Sequence, residues 1–128
     1  NEIRLFKKKG LLNNIHYFQL NDDQLNYAYQ KAICHIIVSE AEGFGVTILE
    51  AQKNNCKVLC PNLPIFHEVG KNSIFYFKLN DIEDFNFQLL KITNKDYDKD
   101  IYEKMKVNLK NFSMLKQKEE LKKIILEI

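Results

Sequence analysis

The chain has 128 residues, 45% of them hydrophobic and 28% charged, with nineteen basic and seventeen acidic side chains and a net charge of +2. That is enough chain for one domain around a single core. The near balance of charge excludes a nucleic-acid surface built on net charge, and no apolar run approaches the roughly 20 residues that cross a bilayer.

Residues 2–9 carry Ile3, Leu5 and Phe6 and stop at Gly10, which predicts a helix end with glycine just past it. Lys7-Lys8-Lys9 reads as a solvated helix face. The aromatic, β-branched stretch 14–18 predicts a strand. Asn21-Asp22-Asp23 supplies an N-cap and an acidic first turn, and Leu25, Ala28, Tyr29 and Ala32 follow at helical spacing. Residues 34–38, apolar except for His35, predict a parallel strand covered on both faces.

A glycine-bracketed turn, Glu42-Gly43-Phe44-Gly45, comes next. It opens a predicted helix over residues 45–54, ended by Asn54-Asn55. Residues 57–60 predict a strand, Pro64 a short helix stopped by Gly70, and residues 73–77 another strand. Asn80, with Glu83 three residues on, predicts the cap of a helix with Ile82, Phe85, Leu89 and Ile92 in its stripe. Ile101, Met105, Leu109 and Phe112 mark a further helix, and Ser113 caps a last one carrying Leu121, Ile124, Ile125 and Ile128. Alternating strands and helices predict an α/β fold with a Rossmann-like parallel sheet flanked by helices.

Three cysteines, Cys34, Cys56 and Cys60, have no framework spacing and read as reduced thiols in a cytosolic setting. Cys56 and Cys60 are an even number apart, so on a strand they face one side as small core residues. No cysteine or histidine spacing suits zinc, and no metal or cofactor is expected. His16 and His35 read as strand residues. His67-Glu68 lies where strand ends face a ligand in such folds, although a surface turn is the simpler reading.

The motif turn is where chemistry is expected. A buried strand, a glycine turn and a helix N-terminus offer backbone N–H groups to an anion. Carboxylates beside that turn cannot bind the anion, but they can accept hydrogen bonds from hydroxyls attached to it. A ligand with phosphate in the middle and hydroxyls on both sides is a sugar nucleotide. A glycosidase carboxylate pair would have to face across a cleft, which this spacing does not favour. Ser39 lacks the nucleophile-elbow pattern of a hydrolase.

From about Asn14 onward the sequence resembles the C-terminal half of the second Rossmann-like domain of a GT-B retaining glycosyltransferase of the group 1 type. The resemblance rests on Glu42-Gly43-Phe44-Gly45 with Glu50-Ala51, a glutamate–seven residues–glutamate signature. It is supported by Val58-Leu59-Cys60 leading to Leu63-Pro64 and Glu68-Val69-Gly70, and by Asn111-Phe112-Ser113. It implies that Glu42 is the catalytic position near the transferred sugar. It also implies that Gly43, Phe44, Gly45, Val46 and Thr47 cradle sugar and diphosphate, and that Glu50 holds the ribose hydroxyls. The family's diphosphate-clamping arginine and lysine are expected upstream of Asn1. Val38, Lys53, Asn55 and Lys57 stand where the family has proline, a small residue, glycine and proline, and Gln19 where it often has glycine.

Residues 1–128 are thus expected to be one domain, the partial second domain of a GT-B fold, with the acceptor-binding N-terminal domain absent. The expected partners are a nucleotide-diphosphate sugar, as substrate rather than cofactor, and that missing domain, with no nucleic acid. The expected location is the cytoplasm, at the inner face of a membrane, with peripheral association through the missing domain. A non-catalytic assembly or regulatory module is the alternative from another class, and an epimerase or phosphorylase of the same two-domain fold is a third.

Overall fold

The computed structural model describes residues 7–10, 12–41 and 43–113. Glu42, the expected catalytic carboxylate, lies outside these residues, as does the predicted helix beyond Ser113. Only Lys7 to Gly10 of the predicted first helix is described; there Gly10 has φ +67 and its amide donates to the Lys7 carbonyl at 3.1 Å, as a glycine past a helix end does. A 3-10 turn over Leu12–Asn14 follows.

Helix α1, Asp22–Lys31, starts where the sequence predicts. Asn21 Oδ1 accepts from the Gln24 amide and Gln24 Oε1 accepts from the Asn21 amide, so the cap is a complete capping box. Strand β1 is His35–Ile36, and helix α2, Val46–Lys53, follows the motif turn. Strand β2 is Val58–Pro61, helix α3 Pro64–Gly70 and strand β3 Phe75–Phe77. Helix α4, Ile82–Thr93, leads through a 3-10 turn, Lys95–Tyr97, into helix α5, Asp98–Asn111.

The three strands form one parallel sheet in the order β1-β2-β3, with His35 opposite Val58 and Leu59 opposite Phe75. Every residue of β2 is buried because both faces of the sheet are covered. On one face Val58 and Cys60 meet Tyr29 of α1, Ile48 and Ala51 of α2, and Phe66 and Val69 of α3. On the other Leu59, Phe75 and Phe77 meet Ile92 of α4 and Ile101 and Met105 of α5. Cys56 and Cys60 do share one face, and burial pushes their thiols up to about 11 and about 12, so both stay protonated near neutral pH.

Four expectations are corrected. Residues 14–18 form no strand, because among the described residues no ladder partner lies beside them; Tyr17 is 97% and Phe18 69% exposed, and His16 stacks on Phe18 instead of sitting in a sheet. The strand expected over 34–38 shortens to β1, extended only by the Ile37 amide donating to Leu59, and it is not covered on both faces, since Val38 is 73% exposed. The α4 cap is Asp81, which accepts from the Asp84 amide; Asn80 takes the left-handed turn before it, and Ile82 points outward. In α5 the inward stripe also takes in Asn108, beside Ile101, Met105 and half-buried Leu109, while Phe112 packs against the core from the C-cap rather than from within the helix.

Two glycine-related constraints shape α3. A Cβ at Gly70 would collide with Ile74. Lys71, which caps α3, takes φ +48, a region strained for a residue with a Cβ by about 1–3 kcal/mol. Lys71→Gly is therefore expected to raise stability by about 1 kcal/mol in urea unfolding; an unchanged or lowered midpoint contradicts that strain.

Candidate functional site

The candidate site begins where β1 ends. Parallel topology puts the loops after β1 and β2 at the same, carboxyl end of the sheet, the end where Rossmann-like folds bind ligands. Gly45 opens α2 at φ +69, a left-handed conformation open to glycine and strained for other residues. Gly45, the N-cap, has no side chain to cap this helix, and the Ile48 amide is already bonded to the Gly45 carbonyl at 3.0 Å. The amides of Val46 and Thr47 therefore open the helix without a side-chain acceptor among the described residues, at the positive end of its dipole. Gly43, Phe44 and Val46 are exposed, Gly45 is buried and Thr47 half-buried. The Phe44 ring meets Phe112 edge-on, centroids 6.2 Å apart.

Glu50 is the fifth residue of α2, about 6 Å along the axis from Val46. It is half-buried in a polar cleft of about 520 Å³ between α1 and α2, with Asp22, Leu25, Asn26, Gln30, Lys53 and Asn54. Three amides pre-order this cleft. Asn54 Nδ2 donates to Asn26 Oδ1 at 2.9 Å and to the Glu50 carbonyl at 3.0 Å, and Gln30 Nε2 donates to Asn54 Oδ1 at 3.1 Å. The fold brings the open amides and Glu50 onto one helix, but no residue of 43–47 lines the Glu50 cleft.

Beneath the cleft lies His35, its ring edge-on to Tyr29 at 5.4 Å and its Nε2 buried without a partner among the described residues. Burial holds its pKa below the ordinary 6.5, against a smaller upward pull from Glu50. Tyr29 is shifted upward, by burial first and Glu50 second. His67 is exposed on α3, stacked on Tyr76 at 4.0 Å with Nε2 2.6 Å from Asn62 Oδ1, at the carboxyl end of β2. Among the described residues no group of three or more His, Cys, Asp or Glu could hold a metal ion, and no helix is long and apolar enough to cross a membrane.

Sequence reasoning missed the residues that fix α2. Gln52 Nε2 donates to Ser73 Oγ at 2.7 Å, and Asn108 Nδ2 donates to Gln52 Oε1 and to the Val69 carbonyl, both at 2.9 Å. Ser73 Oγ in turn donates to the Gly70 carbonyl at 2.6 Å. Lys57, also buried, pairs with Asp98 at 2.7 Å and ties the start of β2 to α5. The available signal was a polar residue inside an apolar stripe, Asn108 between Met105 and Leu109.

The fold and the site define an α/β domain of Rossmann type with an open helix N-terminus at the carboxyl edge of its sheet. The sequence model of the family described as "Glycosyl transferases group 1" matches residues 1–112. The chain belongs to that family of glycosyltransferases, whose domain is Rossmann-like in the GT-B manner. The match includes the first residues, which the sequence resemblance left out, and stops before Ser113.

Three curated proteins are similar to the chain. The O-antigen chain mannosyltransferase RfbU of Salmonella typhimurium is 33% identical over 63 residues, 49% of this chain and 18% of that protein. The serotype-specific mannosyltransferase WbdA of Escherichia coli is 31% identical over 74 residues, 58% of this chain and 8% of WbdA. The O-antigen biosynthesis glycosyltransferase WclY of Escherichia coli is 32% identical over 81 residues, 63% of this chain and 23% of WclY. The matched segments thus span less than a quarter of each relative's length.

Two outcomes follow from this geometry. Asn108→Ala leaves Gln52 Oε1 and the Val69 carbonyl buried without a donor and is expected to lower stability by about 1–3 kcal/mol in denaturant unfolding; a loss under about 0.5 kcal/mol would contradict the network. His35, with its folded pKa below the unfolded 6.5, disfavours protonation of the folded state. Stability should therefore fall as pH drops below about 6.5, and His35→Phe should flatten that part of the profile. An unchanged slope in the variant would contradict it.

Proposed function

We propose that the chain is the donor-binding part of a retaining glycosyltransferase in polysaccharide or glycoconjugate biosynthesis. The parent protein takes a nucleotide-diphosphate sugar and passes the sugar to a hydroxyl on a glycan or lipid-linked acceptor. The observation that carries this reading is that one eight-residue helix has an N-terminus that no side chain caps among the described residues and, one turn on, a half-buried carboxylate in a polar cleft. Membership of the group 1 family and the O-antigen relatives support it.

In this reading the diphosphate rests on the Val46 and Thr47 amides, where the helix dipole favours negative charge. Glu50 accepts hydrogen bonds from the ribose hydroxyls, a role suited to an anion that would repel the phosphates. Glu42, in the turn ahead of the helix, contacts hydroxyls of the transferred sugar. Gly43, Phe44 and Gly45 let backbone approach the ligand closely, since glycine places no Cβ in the way. Departure of the nucleoside diphosphate is helped by the amides and dipole, which stabilise charge as it develops. Cations and the acceptor surface come from other parts of the parent protein, so the isolated chain has little transferase activity. The proposal needs no metal or cofactor. It places the protein in the cytoplasm, at the inner face of a membrane.

The test is a titration with uridine or guanosine diphosphate, followed by NMR at the amides of residues 43–47. Those amides should shift, and Glu50→Ala should weaken binding about tenfold or more, the worth of hydrogen bonds to a charged group. Silence at millimolar nucleotide, or binding indifferent to Glu50→Ala, contradicts the donor reading.

A further inference from the structure

We propose that Phe112 and Lys71 form a clamp on Phe44 that positions the loop ahead of α2 for its ligand. The proposal rests on the donor reading of that loop and adds two residues that do not themselves touch the donor.

The tip of the loop stands open to solvent. Glu40, Ala41, Gly43 and Phe44 are exposed, and a Cβ built at Gly43 meets no atom within 4 Å. A loop with glycine on both sides of one aromatic residue has large conformational freedom, and ordering it for a ligand opposes binding. Phe44 makes the ring contact that limits this freedom. Its ring stands edge-on to Phe112 at 6.2 Å and an interplanar angle of 78°, the arrangement the aromatic quadrupole favours.

Phe112 is itself fixed. It is the C-cap of α5, its amide donates to the Leu109 carbonyl at 3.2 Å, and its half-buried ring packs against the core cluster that contains Ile48 and Val69. Lys71 Nζ lies 6.0 Å from the centroid of the same ring. The Lys71 backbone is held in turn, because Tyr76 donates its hydroxyl to the Lys71 carbonyl at 2.6 Å. The clamp thus joins the end of α3, the end of α5 and the motif loop. A cation over one part of the Phe112 ring and an aromatic edge at another restrict the ring's orientation. Phe112 is a positioning residue: it acts on the donor through Phe44.

The test is a double-variant cycle read in nucleotide affinity, with melting temperature measured alongside. Leucine replaces phenylalanine because it keeps apolar packing against the core while removing the ring. Phe112→Leu and Phe44→Leu should each lower uridine or guanosine diphosphate affinity about threefold to tenfold, the worth of one aromatic pair. The double variant should bind no worse than the weaker single variant, because both changes remove the same contact. Lys71→Met should weaken binding by a smaller factor in the same direction. Wild-type affinity in Phe112→Leu, or losses that multiply in the double variant, overturns the clamp. If the wild-type loop amides respond to nucleotide and that response needs Glu50 but not Phe112, only the clamp fails. If they do not respond to nucleotide at all, the donor reading and the clamp fall together.

Discussion

The buried side-chain amide of Gln52 is the contact on which the placement of the motif helix depends. It lies at 1% exposure among Ile48, Ala51 and the first core cluster, where an unpaired amide would be strongly destabilising. Ser73 and Asn108 satisfy it, and they come from the approach to β3 and from α5. Apolar packing would let α2 slide or rotate by small amounts, because it is not directional. Hydrogen bonds at 2.7 and 2.9 Å permit one arrangement. The same Asn108 bonds the Val69 carbonyl, so α3 is fixed in the same frame.

That frame decides what the site can do. Gln52 is six residues from the first amide of α2 and two from Glu50, so its position sets both. The amides lie about one turn ahead of the carboxylate, which sits in the cleft against α1, whose Asn26 and Gln30 are linked to Asn54. Charge is separated along the helix: donors at the N-terminus, an acceptor a turn later. In the proposed reading, a ligand that carries phosphate and neighbouring hydroxyls would meet both without repulsion. The loop preceding the helix exposes Gly43 and Phe44, and the aromatic contact between Phe44 and the end of α5 ties it to the fold.

Local chemistry was readable where one residue decides the outcome. Gly10 past its helix, Asn21 at the start of α1, Gly45 before α2 and Asn55 just past its end all stand where their side chains, or the lack of one, make that conformation easy. Features that need a distant partner were not readable. Residues 14–18 have strand composition but no ladder among the described residues, and composition alone makes no hydrogen bonds. Asp81 displaced Asn80 as the α4 cap because Asn80 took the left-handed turn, and either side chain could have served. Gln52, Lys57, Ser73 and Asn108 are buried polar residues joined to partners 21 to 56 positions away, and only Asn108, polar inside an apolar stripe, carried a local sign of it. For the site, the motif fixed the helix start and the place of Glu50 on it, while the cleft walls came from α1 and were not foreseen.

The most direct measurement is a crystal structure of the chain grown with a saturating nucleoside diphosphate. The account requires phosphate oxygens within hydrogen-bond distance of the Val46 and Thr47 amides and ribose hydroxyls on the Glu50 carboxylate. An ordered nucleotide seated elsewhere, such as the cleft between α4 and α5 lined by Gln88, Lys91 and Lys104, would contradict it. So would nucleotide-free density at the start of α2.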